Sequence, residues 1–303
     1  GTEADIFVYT AVAQSNSSAT DTITDFTSGA DKLNITLDYS GLGAGSHATV
    51  NATVVTAAAG ITAVQAALSA ERGQYIHDTT NNKLYVNVND DNLITTLDYQ
   101  IATTTAAADG DINFTITGGA GNDTITAGGG ADTITGGAGT DSITAGDGAD
   151  TIIRNGDGTT DGYDIINFVV ADDIIDFTTN GAKVNGTAVT AYNEGALGAM
   201  GATHAFTAFS DDITVANSLT GPTEAEIETY LGATAVFQNG ADGDAQYVAA
   251  DNGTDTFIFY IEEGTDGTDK QFDAADDIGY AMMRLVGVDD ATSLSAANFA
   301  DFT

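Results

Sequence analysis

Asp123, Asp132, Asp141 and Asp150 recur at intervals of nine residues, and each is followed two positions later by an isoleucine, at 125, 134, 143 and 152. They sit in four tandem nonapeptides from Gly118 to Ile153: GGAGNDTIT, AGGGADTIT, GGAGTDSIT and AGDGADTII. The shared pattern is G-G-x-G-x-D-x-U-x, with U a large apolar residue. Together with Asp147, five carboxylates fall within 36 residues that contain no Lys or Arg. Carboxylate and backbone carbonyl oxygens are the ligands of a hard divalent cation, and calcium accepts large, flexible shells of them. Without a cation the five charges repel one another, so ion binding and folding of this block are expected to be one event.

The elements that must position these groups follow from the same period. Each x-U-x triplet makes a short strand with one apolar side chain pointing inward, and each Gly-rich hexad makes the turn. Two nonapeptides complete one turn of a flattened right-handed coil, which stacks Asp123 with Asp141 on one edge and Asp132 with Asp150 on the other. Glycine reaches positive φ without strain and turns its carbonyl toward the gap between stacked loops. Gly119, Gly121, Gly128, Gly130, Gly137 and Gly139 therefore join the four aspartates as expected calcium ligands. Ala127 and Ala145 stand where the motif has Gly, and are expected to distort one edge. Beyond Ile153 the register is lost. The run RNGDGTTDGYD offers Asp157, Asp161 and Asp164, and 154–164 reads either as a capping loop in which Asp157 helps complete another ion site or as a solvated turn.

Composition narrows the partners. The 303 residues include 7 Lys+Arg against 44 Asp+Glu, a formal charge of −37, with no Cys and no Trp. Binding phosphate needs Lys or Arg to displace counter-ions, so nucleic acid and anionic membrane surfaces are poor partners. Hydrophobic residues make up 42% of the chain, enough for a sizeable core despite the acidity. No apolar run approaches the roughly 18 residues of a membrane span, and no membrane insertion is expected. Absence of Cys excludes a disulfide framework and thiolate metal sites.

On either side of the repeats one succession of elements occurs twice. The first copy reads ADIFVY (4–9), DTITDFTSGADKLNI (21–35), a helix-like ITAVQAALSA (61–70), QYIHDTTNNKLYVNVN (74–89) and LDYQIA (97–102). The second reads ADTII (149–153), YDIINFVVADDIIDF (163–177), a helix-like TEAEIETYLG (223–232), QYVAADNGTDTFIFYI (246–261) and IGYAMMRLVGV (278–288). Asn81-Asn82 and Asn252-Gly253 each join two apolar runs and predict hairpins. The expected fold is mainly β: a short calcium-binding parallel β-roll (109–162) between two related β-rich modules (1–108 and 163–303), each with a small helix. Internal duplication is the economical explanation.

The four nonapeptides resemble the repeats-in-toxin (RTX) calcium-binding repeats of proteins exported by type I secretion. The pattern D-x-I-x-D-F followed by G/A-D-x-I/L resembles the segment that follows RTX repeats in serralysin-type metalloproteases and many bacterial surface-layer and adhesin proteins. GTEADIFVY resembles the second half of another nonapeptide, with Asp5 in the Asp position and Phe7 in the apolar one, so residue 1 reads as a cut with further repeats upstream. The end of the chain, Leu285 to Val288 and Leu294 to Phe299, looks like the C-terminus of such exported proteins, which carries an uncleaved secretion signal. It reads equally as a final strand and short helix.

Catalytic patterns are missing from the sequence. The three histidines, at 47, 77 and 204, lack H-E-x-x-H spacing, and no nucleophile elbow, Walker loop or dinucleotide fingerprint occurs. The sequence therefore points to a noncatalytic, secreted structural protein that folds on calcium. Such a protein would belong to a surface layer, matrix, filament or adhesin, with self-association into an oligomer, lattice or filament and with the type I secretion machinery as partner. The alternative is the C-terminal secretion and folding module of a larger exoenzyme whose catalytic domain lies elsewhere.

Overall fold

A computed structural model of the chain describes residues 3–16, 18–41, 49–51, 72, 74–78, 81–89, 98–103, 105, 107–154, 162–177, 183–184, 187–188, 191–194, 204–208, 245–262 and 278–299. The fold is mainly β, and among the described residues the helical elements are three-residue 3-10 turns. Both helix-like stretches, 61–70 and 223–232, lie outside the described residues. The chain divides into two compact units, Gly1–Gly137 with Ile143–Thr151 and Ala138–Ser142 with Ile152–Thr303.

In the first unit the strands are β1 (Ile6–Tyr9), β2 (Asp21–Ile23), β3 (Lys32–Asp38), β4 (Thr49–Asn51), β5 (Tyr75–Asp78), β6 (Lys83–Val86), β7 (Tyr99–Thr103), β8 (Ile112–Ala120), β9 (Thr124–Thr126) and β10 (Thr133–Ala138). Strands β1, β3, β8 and β10 are hydrogen-bonded neighbours in that order. Pairing is parallel, with Phe7 opposite Leu33 and Leu33 opposite Ile112. β4 lies parallel to β9, with Val50 opposite Ile125. Alternation along β3 puts Leu33, Ile35 and Leu37 inside, at no more than 1% exposure, as the period of two in an extended strand requires.

Next come β11 (Ser142–Thr144) and β12 (Thr151–Arg154). The second unit continues with β13 (Asp164–Asn167), β14 (Ile174–Phe177), β15 (Lys183–Val184), β16 (Thr187–Ala188), β17 (Ala191–Glu194), β18 (His204–Ala208), β19 (Ala245–Asp251), β20 (Thr256–Glu262) and β21 (Ile278–Val286). β19, β20 and β21 form an antiparallel meander, and β13 joins it parallel to β21. The first unit has the same arrangement: β5, β6 and β7 form an antiparallel meander, and β2 joins it parallel to β7. Turn residues Asn82 and Gly253 both have positive φ, +49° and +75°, as tight hairpins demand. The duplicated order read from the sequence is thus a duplicated topology.

The repeats coil with a period of two nonapeptides. Gly129 and Asp147 form a parallel bridge, and Asp147 N–H donates to Gly128 O at 2.8 Å while Gly130 N–H donates to Asp147 O at 3.0 Å. A Cβ placed on Gly137, Gly146 or Gly148 would strike the carbonyl oxygen of Gly119, Gly128 or Gly130, in each case 18 residues earlier. Ile125, Ile134, Ile143 and Ile152 are buried. Gly148, at φ +125°, has both a left-handed backbone and a carbonyl where its side chain would be. Gly148→Ala is expected to lower stability in excess calcium by at least about 2 kcal/mol, from backbone strain alone. Ala149→Ser, at the exposed neighbour, should stay within ~0.5 kcal/mol. Denaturant unfolding measures both, and equal midpoints would refute the close stacking.

Candidate metal centre

Asp132 ends a Gly-rich turn and is 1% exposed. Its Oδ1 accepts the Phe114 backbone N–H at 2.6 Å, 18 residues back. Its own N–H donates to Asp150 Oδ1 at 2.8 Å, and its carbonyl accepts the Thr151 N–H at 2.8 Å. One ladder step is therefore a carboxylate that reaches back one coil turn to a backbone N–H, next to a returning strand hydrogen bond. In the second unit the step recurs: Asp141 N–H donates to Asp164 Oδ1 at 3.0 Å, and Ile165 N–H to Asp141 O at 2.8 Å. Near the chain start it recurs again, with Asp5 N–H on Asp31 Oδ1 at 2.9 Å and Lys32 N–H on Asp5 O at 2.9 Å. Asp5 thus occupies the Asp position that its sequence context predicted.

Asp123, Asp132, Asp141 and Asp150 are all at most 2% exposed. In each the Oδ2 atom is buried and accepts no hydrogen bond. The expected ligand glycines, Gly119, Gly121, Gly128, Gly130, Gly137 and Gly139, all adopt positive φ. Among the described residues no three His, Cys, Asp or Glu side chains converge on one point, so backbone carbonyls must supply much of any ion's shell. A buried carboxylate oxygen without a donor, in loops rich in carbonyl oxygen, fits a hard cation such as calcium. Electrostatics of Asp132 point the same way. Burial pushes its carboxyl up to about 8, the Phe114 N–H opposes that rise, and Asp150 and Asp109 add to it. Without a positive partner this group favours a proton at neutral pH.

Two sequence expectations change. Ala127 and Ala145 are fully buried and accommodated, with Ala127 N–H on Thr144 O at 3.0 Å. At the same motif position Gly118 is forced, since a Cβ there would meet Gly136 O and, at 2.5 Å, Asp123 Oδ2. The two edges have different steric demands, so Ala127 and Ala145 need not distort theirs. The loss of register after Ile153 is also temporary. Gly162, Asp164 and Ile166 restore the G-x-D-x-U half-motif, and a Cβ on Gly162 would strike Gly139 O. The step from Asp141 to Asp164 is 23 residues instead of 18, and those five extra residues hid the rung from a nine-residue period. Asp157 lies outside the described residues.

Arg154, one of seven cations that looked scattered in the sequence, is the other group the sequence did not single out. It is 2% exposed, its Nη1 donates to Asp164 Oδ2, and its Nη2 donates to Gly162 O at 2.9 Å.

The raised Asp132 carboxyl makes the metal-free fold sensitive to pH. A carboxyl whose folded pKa is raised from 3.8 to about 8 stabilises the metal-free fold below pH 4 and loses that contribution as pH rises through 8. Chelated protein should therefore melt higher at pH 5 than at pH 8. Asp132→Asn keeps the oxygen that accepts the Phe114 N–H and removes the buried charge, so at pH 8 it should raise the melting temperature in chelator and weaken the calcium response. Circular dichroism melts with calcium and with chelator check both signs. A lowered melting temperature in chelator would count against the cation reading of this carboxylate.

Comparison with known families gives two matches. The family model described as the RTX calcium-binding nonapeptide repeat (4 copies) matches residues 115–156. The model described as the peptidase M10 serralysin C terminal matches residues 1–111. No curated protein matches the chain. No helix among the described residues is long and apolar enough to cross a membrane. The repeats, their coil geometry and the two matches, over 115–156 and 1–111, support an RTX calcium-binding protein, exported by the type I route and extracellular.

Proposed function

We propose that this chain is the calcium-folded part of a noncatalytic extracellular structural protein, a component of a surface layer, matrix, filament or adhesin. In this reading Asp123, Asp132, Asp141 and Asp150 hold calcium together with carbonyls of the intervening glycines. The roll, 109–162, joins the modules 1–108 and 163–303. The observation that carries the reading is the duplicated topology, in which a parallel strand joins an antiparallel meander on both sides of the repeats. The serralysin C-terminal match falls on the copy before the repeats, and the copy after them has the same strand pairing. Two like modules present two like surfaces, which suits repeated contacts between copies.

Charge links folding to place. At low calcium, as in a bacterial cytoplasm, the closely spaced aspartates of the roll repel one another, and an unfolded chain suits passage through the type I machinery. Outside, sites of roughly 10⁻⁴–10⁻³ M affinity are filled by millimolar calcium. At a formal charge of −37 two copies repel until counter-ions neutralise their acidic faces, so assembly follows the same ion. The match to a peptidase family's C-terminal segment favours a second reading, a secretion and folding module for an exoenzyme.

Sedimentation velocity and electron microscopy with calcium, then with chelator, separate the two. Ordered assemblies that form with calcium and dissolve on chelation are expected. Particles that fold with calcium but stay monomeric would favour the exoenzyme module. Circular dichroism unaltered by excess chelator would remove calcium-driven folding from both readings.

A further inference from the structure

Among the described residues, the Asp141–Asp164 rung carries a basic side chain on its carboxylate. At the Phe114–Asp132 rung the step consists of the Phe114 N–H on Asp132 Oδ1 at 2.6 Å. At Asp141 it consists of an N–H on Asp164 Oδ1 and a returning strand bond of 2.8 Å. Gly162 stacks on the Gly139 carbonyl as Gly148 stacks on that of Gly130. The rungs differ at the second carboxylate oxygen. Asp132 Oδ2 accepts no hydrogen bond, whereas Asp164 Oδ2 takes Nη1 of Arg154, whose Nη2 binds the Gly162 carbonyl.

Resting on the calcium reading of the repeats, we propose that Arg154 is a built-in substitute for calcium, its guanidinium closing the last rung so that the Asp141–Asp164 step forms without metal. The guanidinium bridges a ladder carboxylate and a loop carbonyl, the same two ligand types that calcium takes in such loops. Arg154 and Asp164 are 2% and 1% exposed. A buried charge persists only when paired and hydrogen-bonded, and here the guanidinium and the carboxylate pair with each other through Nη1. Arginine does not lose its proton in proteins, so the rung stays closed at any calcium concentration. It lies immediately after the last nonapeptide, and Gly118 to Ile153 contain no Lys or Arg. The end of the roll is thus ordered before the ion arrives, and gives the calcium-dependent repeats a formed edge to stack on.

Amide hydrogen exchange on the full chain reads both kinds of rung. In chelator, the amides of Asp141 and Ile165 should stay protected in the wild type while those of Asp132 and Thr151 exchange at least ~10-fold faster than with calcium. In Arg154→Met the Asp141 and Ile165 amides should lose protection in chelator and regain it in calcium, with calorimetry counting one more ion per chain. Arg154→Lys keeps the charge and should keep those amides protected in chelator. Wild-type protection in chelated Arg154→Met would overturn the proposal. So would loss that calcium does not restore, or an Arg154→Lys protein that behaves like Arg154→Met. Chelator-insensitive Asp132 and Thr151 amides would instead sink the calcium reading of the repeats, and would leave the comparison between wild type and Arg154→Met at Asp141 and Ile165 intact.

Discussion

A carboxylate that is taken out of water to accept a backbone N–H from the previous coil turn must find a positive partner for its second oxygen. The rest of the structure depends on that constraint, because burial raises the cost of a bare charge steeply. Near the chain start the protein meets the demand with its own donors. Asp31 accepts the N–H of Asp5 on one oxygen and that of Thr27 on the other, at 2.9 and 2.7 Å. Asp111 accepts N–H groups of Gly29 and Ala108, the Ser28 hydroxyl and Lys32 Nζ. Burial alone would raise the Asp111 carboxyl, but these donors outweigh it and hold it below its ordinary range. Within the nonapeptides the equivalent oxygens have no such donors, and there the motif is one that binds calcium.

Placement of the cations follows the same logic. Among the described residues, Lys32 pairs with buried Asp111, Arg154 with Asp164, and Arg284 with Asp255. Arg72 lies over the Tyr39 ring, 5.5 Å from its centre. All fall outside Gly118 to Ile153. A fixed cation inside the repeats would neutralise the ladder permanently and remove its dependence on the ion. A fixed cation at its end keeps that dependence within the repeats. These ion pairs thus lie outside the nonapeptides, whose motif is the one that binds calcium.

Much of this was legible in the sequence because local chemistry wrote it there. Nine-residue spacing gave the Asp ladder and the buried isoleucines, and the Asn-Asn and Asn-Gly pairs gave the two hairpins whose central residues need positive φ. Asp5 was recognisable from its flanking strand alone. Rungs separated by irregular loops were harder to see: Asp31 lies 26 residues beyond Asp5, and Asp164 lies 23 beyond Asp141. Loop length between stacked turns is nearly free of energetic cost, so a rung can keep its geometry while losing its period. Arg154 was invisible for a different reason. A long side chain reaches ten residues along the chain to its partner, and nothing in the spacing of charges records such a reach.

The two copies that flank the nonapeptides share an Asp-closed turn. After Phe26, Thr27 N–H and O bracket a turn closed by Asp31; after Phe168, Val169 N–H and O bracket the corresponding turn closed by Asp173. Both aspartates are buried and both precede a strand, Leu33 matching Ile175. In the second module the chain end adds to this turn, with Asn298 Nδ2 donating to Val170 O and Asp173 O and with Phe299 buried. Each copy therefore carries an Asp-closed turn in which a backbone N–H donates to the aspartate. Duplication of such a unit on both sides of metal-dependent repeats supplies pre-formed ends to a coil whose middle responds to calcium. A repeat coil without formed ends must nucleate its first turn from an unstructured chain, and in stacked-repeat architectures that nucleus and its caps determine whether the array forms. Formed turns in the copies on either side leave the nonapeptides as the block whose motif calls for calcium.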